Sequence, residues 1–138
     1  MEPQVSRVGV VEPKRIDPRG LNGPTRGQAR GRHWRRTSPG LYVPSTVSTD
    51  LPAQRIVEAA VGAPPGTGVT GWAALHWQGA RWFTGRDAHG HPLPVPLALD
   101  DHRHLAPRAG VCFQHDWLFD GDLVSWDGIS ITRPDRSV

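Results

Sequence analysis

Leu123-Val124-Ser125-Trp126-Asp127-Gly128-Ile129-Ser130-Ile131-Thr132 decides the fold class. Two β-prone runs flank Asp127-Gly128, a dipeptide that accepts the positive φ angles of a two-residue turn, so the segment reads as a hairpin. Helical spacing lies upstream. Ala53, Ile56, Val57 and Ala60 recur at i, i+3, i+4 and i+7, which gathers them on one buried face. Asp50 is placed to cap that helix, Gly62 to end it, and Pro64-Pro65 to prevent its return. Thr70 is placed to cap a second helix over residues 71–78, with Trp72, Leu75 and Trp77 as its bulk and Gly79 as its stop. Helices and strands in one short chain predict an α+β fold.

The remaining segments fill in around these. Residues 93–99 are apolar, but Pro94 and Pro96 remove ladder donors, which predicts a place at or beside a sheet edge. Residues 109–115 read as a strand, and the resulting sheet is expected to be small and antiparallel. Nearer the N-terminus, Trp34-Arg35-Arg36-Thr37 and Leu41-Tyr42-Val43 flank Ser38-Pro39-Gly40 and close on Pro44, a second, compact hairpin. Thr25-Arg26-Gly27-Gln28 has the form of a capping box just after Pro24, which predicts a short helix over residues 26–31. Gly27 and Gly31 each cost that helix about 1 kcal/mol relative to alanine, so it needs tertiary support. Pro3, Pro13, Pro18, Gly9, Gly20 and Gly23 make residues 1–23 an extended arm, with a short strand expected at 8–11. The expected division is a basic arm with a partial winged-helix element over 1–44 and a small α+β domain over 45–138.

At 138 residues the chain has length for one real hydrophobic core. The 37% hydrophobic content, with 16 Gly and 14 Pro, points to short elements and many turns. No apolar run reaches membrane-spanning length, so no membrane association is expected. Met1-Glu2-Pro3-Gln4 lacks the basic start and apolar stretch of a secretory signal. Cys112 is the single cysteine and has no intramolecular partner, which fits a reducing, cytoplasmic setting. The net charge of +3 conceals an asymmetry: residues 1–44 hold nine basic groups against Glu2, Glu12 and Asp17, whereas 45–138 hold seven basic and ten acidic groups. A polyanion would therefore meet the N-terminal third. Arginine abundance itself, 15 Arg against one Lys, says less than this placement, because GC-rich coding produces it.

Each candidate for chemistry also has a blander reading. His89, His91, His102, His104 and His115, with Asp100, Asp101 and Asp116, supply metal-ligating groups. Their Gly- and Pro-flanked positions instead suggest solvated loop histidines, and no metal or other cofactor is expected. There is no nucleophile elbow, P-loop or paired-histidine zinc helix. Cys112 lies mid-strand and reads as a small core or half-buried thiol. Asp120-Gly121-Asp122 reads as a turn. No enzyme is expected. Trp72, Trp77, Trp82 and Trp126 read as core. Trp34 differs, because it sits among Arg30, Arg32, Arg35 and Arg36. Two readings stand side by side: the anchor of a basic helix-to-hairpin element that approaches a DNA groove, or the core anchor of a solvated basic face.

The stretch Pro24-Thr25-Arg26-Gly27-Gln28-Ala29-Arg30, followed by Trp34-Arg35-Arg36-Thr37-Ser38-Pro39-Gly40-Leu41-Tyr42-Val43-Pro44, resembles the end of the winged-helix module of AbiEi-type antitoxins and their actinobacterial relatives. Val69-Thr70-Gly71-Trp72-Ala73-Ala74-Leu75, residues 93–97, Gly128-Ile129-Ser130-Ile131-Thr132 and Arg133-Pro134-Asp135-Arg136-Ser137-Val138 resemble later motifs of that family in the same order. The resemblance covers roughly residues 20–138. It implies a transcription regulator of a toxin–antitoxin system that contacts duplex DNA through Arg26, Arg30, Arg32, Trp34, Arg35 and Arg36. In the family this region precedes further helices and often a domain similar to very-short-patch-repair endonucleases. The chain is accordingly expected to be the truncated front part of a longer protein, without the nuclease-like part. The first helices of the winged module are missing or compressed into the arm. The alternative is a structural or interaction segment of a truncated nuclease-fold protein, one that self-associates or docks to the absent C-terminal domain.

Overall fold

Pro52 opens the helix on which the body is built. The computed structural model describes residues 9–99, 110–115 and 121–133, and its elements run α1 (Arg26–Ala29), β1 (Trp34–Ser38), β2 (Leu41–Pro44), α2 (Pro52–Val61), β3 (Thr67–Val69), α3 (Gly71–Trp77), β4 (Val95–Leu99), β5 (Val111–His115), β6 (Leu123–Trp126) and β7 (Ile129–Thr132). The class is α+β. Asp50 does not cap α2: the helix starts from Leu51 with no side-chain cap. Pro52 makes one less necessary, since it presets φ and has no N–H to satisfy, while Ser48 Oγ accepts the Asp50 N–H at 3.1 Å. Gly62 ends the helix as expected. Thr70 does stand before α3, but its hydroxyl makes no cap bond. It accepts a hydrogen bond from Thr132 Oγ1 at 2.9 Å and so fastens the start of α3 to β7.

The body is a five-stranded sheet in the order β5-β4-β3-β7-β6. It is mixed: β3–β4 and β6–β7 are antiparallel, whereas β3–β7 and β4–β5 are parallel. A turn such as Asp127-Gly128, with φ of 49° and 89°, fixes direction only between consecutive strands, so the parallel pairings left no local mark. Val69 stands opposite both Leu97 and Ile131, and partners in register share a face. That face carries Val69, Val95, Leu97, Ile129 and Ile131 into one cluster with Ile56, Val57, Ala59, Ala73, Ala74 and Trp77 from α2 and α3. Two helices thus cover one side of the sheet.

The proline-bearing strand lies beside the sheet edge, one of the two places its prolines predict, as the neighbour of outer strand β5. β4 sits between β3 and β5, and all five of its residues are buried. The missing N–H of Pro96 falls where no donor is wanted. Thr70 N–H donates to Pro96 O at 3.0 Å, and the Thr70 carbonyl that would face Pro96 N accepts instead from Ala74 N–H, the first bond of α3, at 3.3 Å. Strand pairing with β3 ends there, so the proline interrupts nothing.

Of the tryptophans expected in the core, only Trp77 is fully enclosed, with its Nε1–H donated to Trp126 O at 2.7 Å. Trp72 is half-buried, donates Nε1–H to Pro94 O and lies under the Arg55 guanidinium. Trp82 is 77% exposed and Trp126 42%. Trp82 follows the helix stop and is free of its apolar period, and Trp126 ends the edge strand β6. Cys112 is exposed, on the face of edge strand β5 opposite Val111 and Phe113, which pack on the core. No helix among the described residues is long and apolar enough to cross a membrane.

Candidate nucleic-acid interface

The capping box forms as the sequence indicates. Thr25 Oγ1 accepts from Gln28 N–H, and Gln28 Oε1 accepts from Thr25 N–H at 2.9 Å. The helix it starts is shorter than expected, ending at Ala29 with Arg30 as its C-cap. Arg26 and Arg30 are four apart and share one face of this turn; both are exposed, as are Arg32 and Arg36.

The loop before α1 is organised by Asp17. Its carboxylate accepts the N–H groups of Arg19, Leu21 and Asn22 at 3.0, 3.1 and 2.9 Å. The Asn22 and Arg19 bonds in particular hold the carboxyl below its usual value of 3.8. Gly23 completes the loop: any Cβ there would run into the carbonyl oxygen of Arg15. The expected strand over 8–11 does not form in its described part. Instead, the Gln54 side chain acts as the partner of Val11, its Oε1 accepting from Val11 N–H at 2.8 Å and its Nε2 donating to Val11 O at 2.9 Å.

The β1–β2 hairpin sets the outward face. Arg36 stands opposite Tyr42, and Arg35 opposite Val43. Lys14 in the arm exchanges both backbone hydrogen bonds with Tyr42, at 2.7 and 2.8 Å. Lys14, Tyr42 and Arg36 therefore form one row across three extended segments, and Trp34, two residues before Arg36, lies on the same side, half-buried. The arm adds a cation that the hairpin alone lacks.

Arg35 does not join them. It lies on the opposite side of β1, with fully buried Val43, and its guanidinium meets Glu58 of α2 in a bidentate pair at 2.8 and 2.9 Å. The Glu58 carboxylate raises its pKa against the opposing effect of burial. Gln54 Nε2 donates to the same carboxylate at 3.0 Å. A guanidinium so engaged is a strut between hairpin and helix, and its expected role as a phosphate contact is withdrawn. Strand alternation is the signal that separates Arg35 from Arg36. Tyr42 was legible from the same alternation once the hairpin register is known; Lys14 carried no local signal.

The histidine loop offers no competing centre. Asp87 Oδ1 accepts from the backbone N–H of His89 and His91, at 2.8 and 2.9 Å, which is turn chemistry. Among the described residues no three His, Cys, Asp or Glu side chains converge. Asp100, Asp101, His102, His104, Asp116, Asp120 and the His115 side chain lie outside the description. Comparison with protein-family models, curated proteins and solved structures returns no match for this chain.

Proposed function

We propose that the chain is a non-catalytic module that contacts duplex DNA, of the kind the resemblance to AbiEi-type antitoxin regulators suggests, and that it works in a reducing, cytoplasmic setting. One observation carries the reading: Lys14, Tyr42 and Arg36 share an outward row beside Trp34, and the exposed Arg26, Arg30 and Arg32 sit in the adjoining helix and loop. Two nearby carboxylates are occupied, Asp17 by backbone N–H groups and Glu58 by Arg35. A surface of flexible guanidinium groups around a rigid strand pair suits phosphate contact more than base reading, so affinity should exceed sequence selectivity. Fluorescence anisotropy with a labelled duplex, titrated with salt, tests this. Binding should weaken steeply with salt, and Lys14→Gln and Arg36→Gln should each flatten the log–log slope by about 0.9, the contribution of one phosphate contact. No binding at low salt and micromolar protein defeats the proposal.

A second reading, self-association, draws support from β5 and β6, the outer strands of the sheet, which pair on one side only among the described strands and so offer backbone groups to a further strand. Sedimentation at several concentrations tests it. A monomer throughout counts against it.

A further inference from the structure

A cleft of about 530 Å³ opens where α3 ends, lined by Ala53, His76, Trp77, Gln78, Arg81 and Trp126. It belongs to the body, apart from the arm and hairpin. Its size falls within the roughly 300–1,000 Å³ typical of small-ligand sites. We propose that it is a binding site for a nucleotide, in which the base stacks on the Trp126 ring and Arg81 takes the phosphate.

Three features lead to this chemistry. First, Trp126 is 42% exposed although its backbone is fixed, because Trp126 O accepts the indole N–H of enclosed Trp77. A flat π surface on a rigid mount is what base stacking uses. Second, no hydrogen bond or ion pair with any described residue engages the exposed Arg81 guanidinium. Trp82, next in the chain, adds a second exposed ring. Third, the described polar groups lining the cleft are His76, Gln78 and Arg81, with no carboxylate. Gln78 Nε2 already donates to Ala74 O at 3.1 Å, so the Arg81 guanidinium is the donor left to meet an anion. Arg81 is the one fixed cation in the described lining. His76 is held in place through Nδ1, 2.7 Å from Phe83 O.

The nucleotide has two possible sources, a free mononucleotide or an unpaired residue of a strand. Isothermal titration of the full chain with adenosine monophosphate and with a short single-stranded oligo(dA) separates them. Binding of the mononucleotide indicates a free nucleotide pocket; binding of the oligonucleotide alone indicates a strand, and supports the site only when Arg81→Gln and Trp126→Ala weaken it, since otherwise the strand sits on the arm and hairpin and the proposal fails. Arg81→Gln and Trp126→Ala should each weaken binding by about tenfold, while Trp126→Tyr, which keeps a stacking face, should stay within about threefold. Arg36→Gln should leave adenosine monophosphate binding unchanged, whatever it does to the oligonucleotide, so this site and the duplex-contacting surface fail separately. Three results overturn the proposal: no heat with either ligand at millimolar concentration, adenosine binding as tightly as its monophosphate, or binding indifferent to both Arg81→Gln and Trp126→Ala.

Discussion

Removal of the Glu58 carboxylate tests how the basic surface is held on the body. Glu58→Ala breaks the bidentate pair with Arg35 and removes an acceptor from Gln54 Nε2. Breaking a fully buried ion pair costs about 3–5 kcal/mol, because the remaining charge is stranded. Here the Arg35 and Glu58 side chains keep 24% and 16% of their exposure, so water reaches the stranded guanidinium and the expected cost falls to about 2 kcal/mol. Arg35→Met strands the carboxylate instead, and Gln54 still donates to it, so the cost should be smaller, about 1 kcal/mol. In the double variant neither charge is stranded, and the coupling energy from the cycle should be about 1–2 kcal/mol. Urea unfolding of the four proteins supplies the numbers, with unchanged m values as the check that the denatured state is the same. The DNA assay then separates strut from contact. As a strut, Arg35 can be replaced by Met without changing the salt slope of folded protein, whereas a phosphate contact would lose about 0.9 of slope. A coupling below about 0.5 kcal/mol, or a flattened slope for Arg35→Met, would refute the reasoning.

Other perturbations read other parts of the molecule. Gly23→Ala should push the arm off Arg15 and destabilise the chain by about 1–3 kcal/mol through overpacking, read as a lower urea midpoint; an unchanged midpoint contradicts the close approach. Asp17 has a depressed folded pKa, so its contribution is complete above the usual 3.8 and is lost as pH falls through the lower folded value. Amide exchange at Arg19, Leu21 and Asn22 should accordingly accelerate, beyond its intrinsic pH dependence, only in strongly acidic solution, and Asp17→Asn should abolish that step. Ile56→Ala removes a fully buried side chain and should cost about 2–5 kcal/mol by urea unfolding. Less than about 1 kcal/mol would place Ile56 outside the core.

What the sequence revealed was local, and what it withheld was pairing over distance. Asp127-Gly128 and the Thr25–Gln28 box contain their whole cause within a few residues and form as read, and the apolar period of α2 buries Ile56 and Val57 as read but leaves Ala53 and Ala60 only partly covered. Pro96 placed its strand beside an edge, as read, but did not show why it is tolerated between two partners: the carbonyl its missing donor would meet is already taken by α3. The candidate surface follows the same division. Arg26, Arg30, Arg32 and Arg36 were visible as a charge cluster, yet charge cannot tell Arg36 from Arg35; only the two-residue period of β1 and the location of α2 can. Gln54 shows the limit most clearly. It is 1% exposed on a helix otherwise buried by apolar side chains, and a polar group so placed requires partners. The requirement could be stated from the helical pattern. Its answer, the backbone of Val11 forty-three residues away, could not, because that stretch of arm forms no strand and carries no signal of its own. The arm is therefore positioned by the body through Gln54 and Tyr42, and any function of Lys14 is inherited from α2 and β2 as much as from the arm's own sequence.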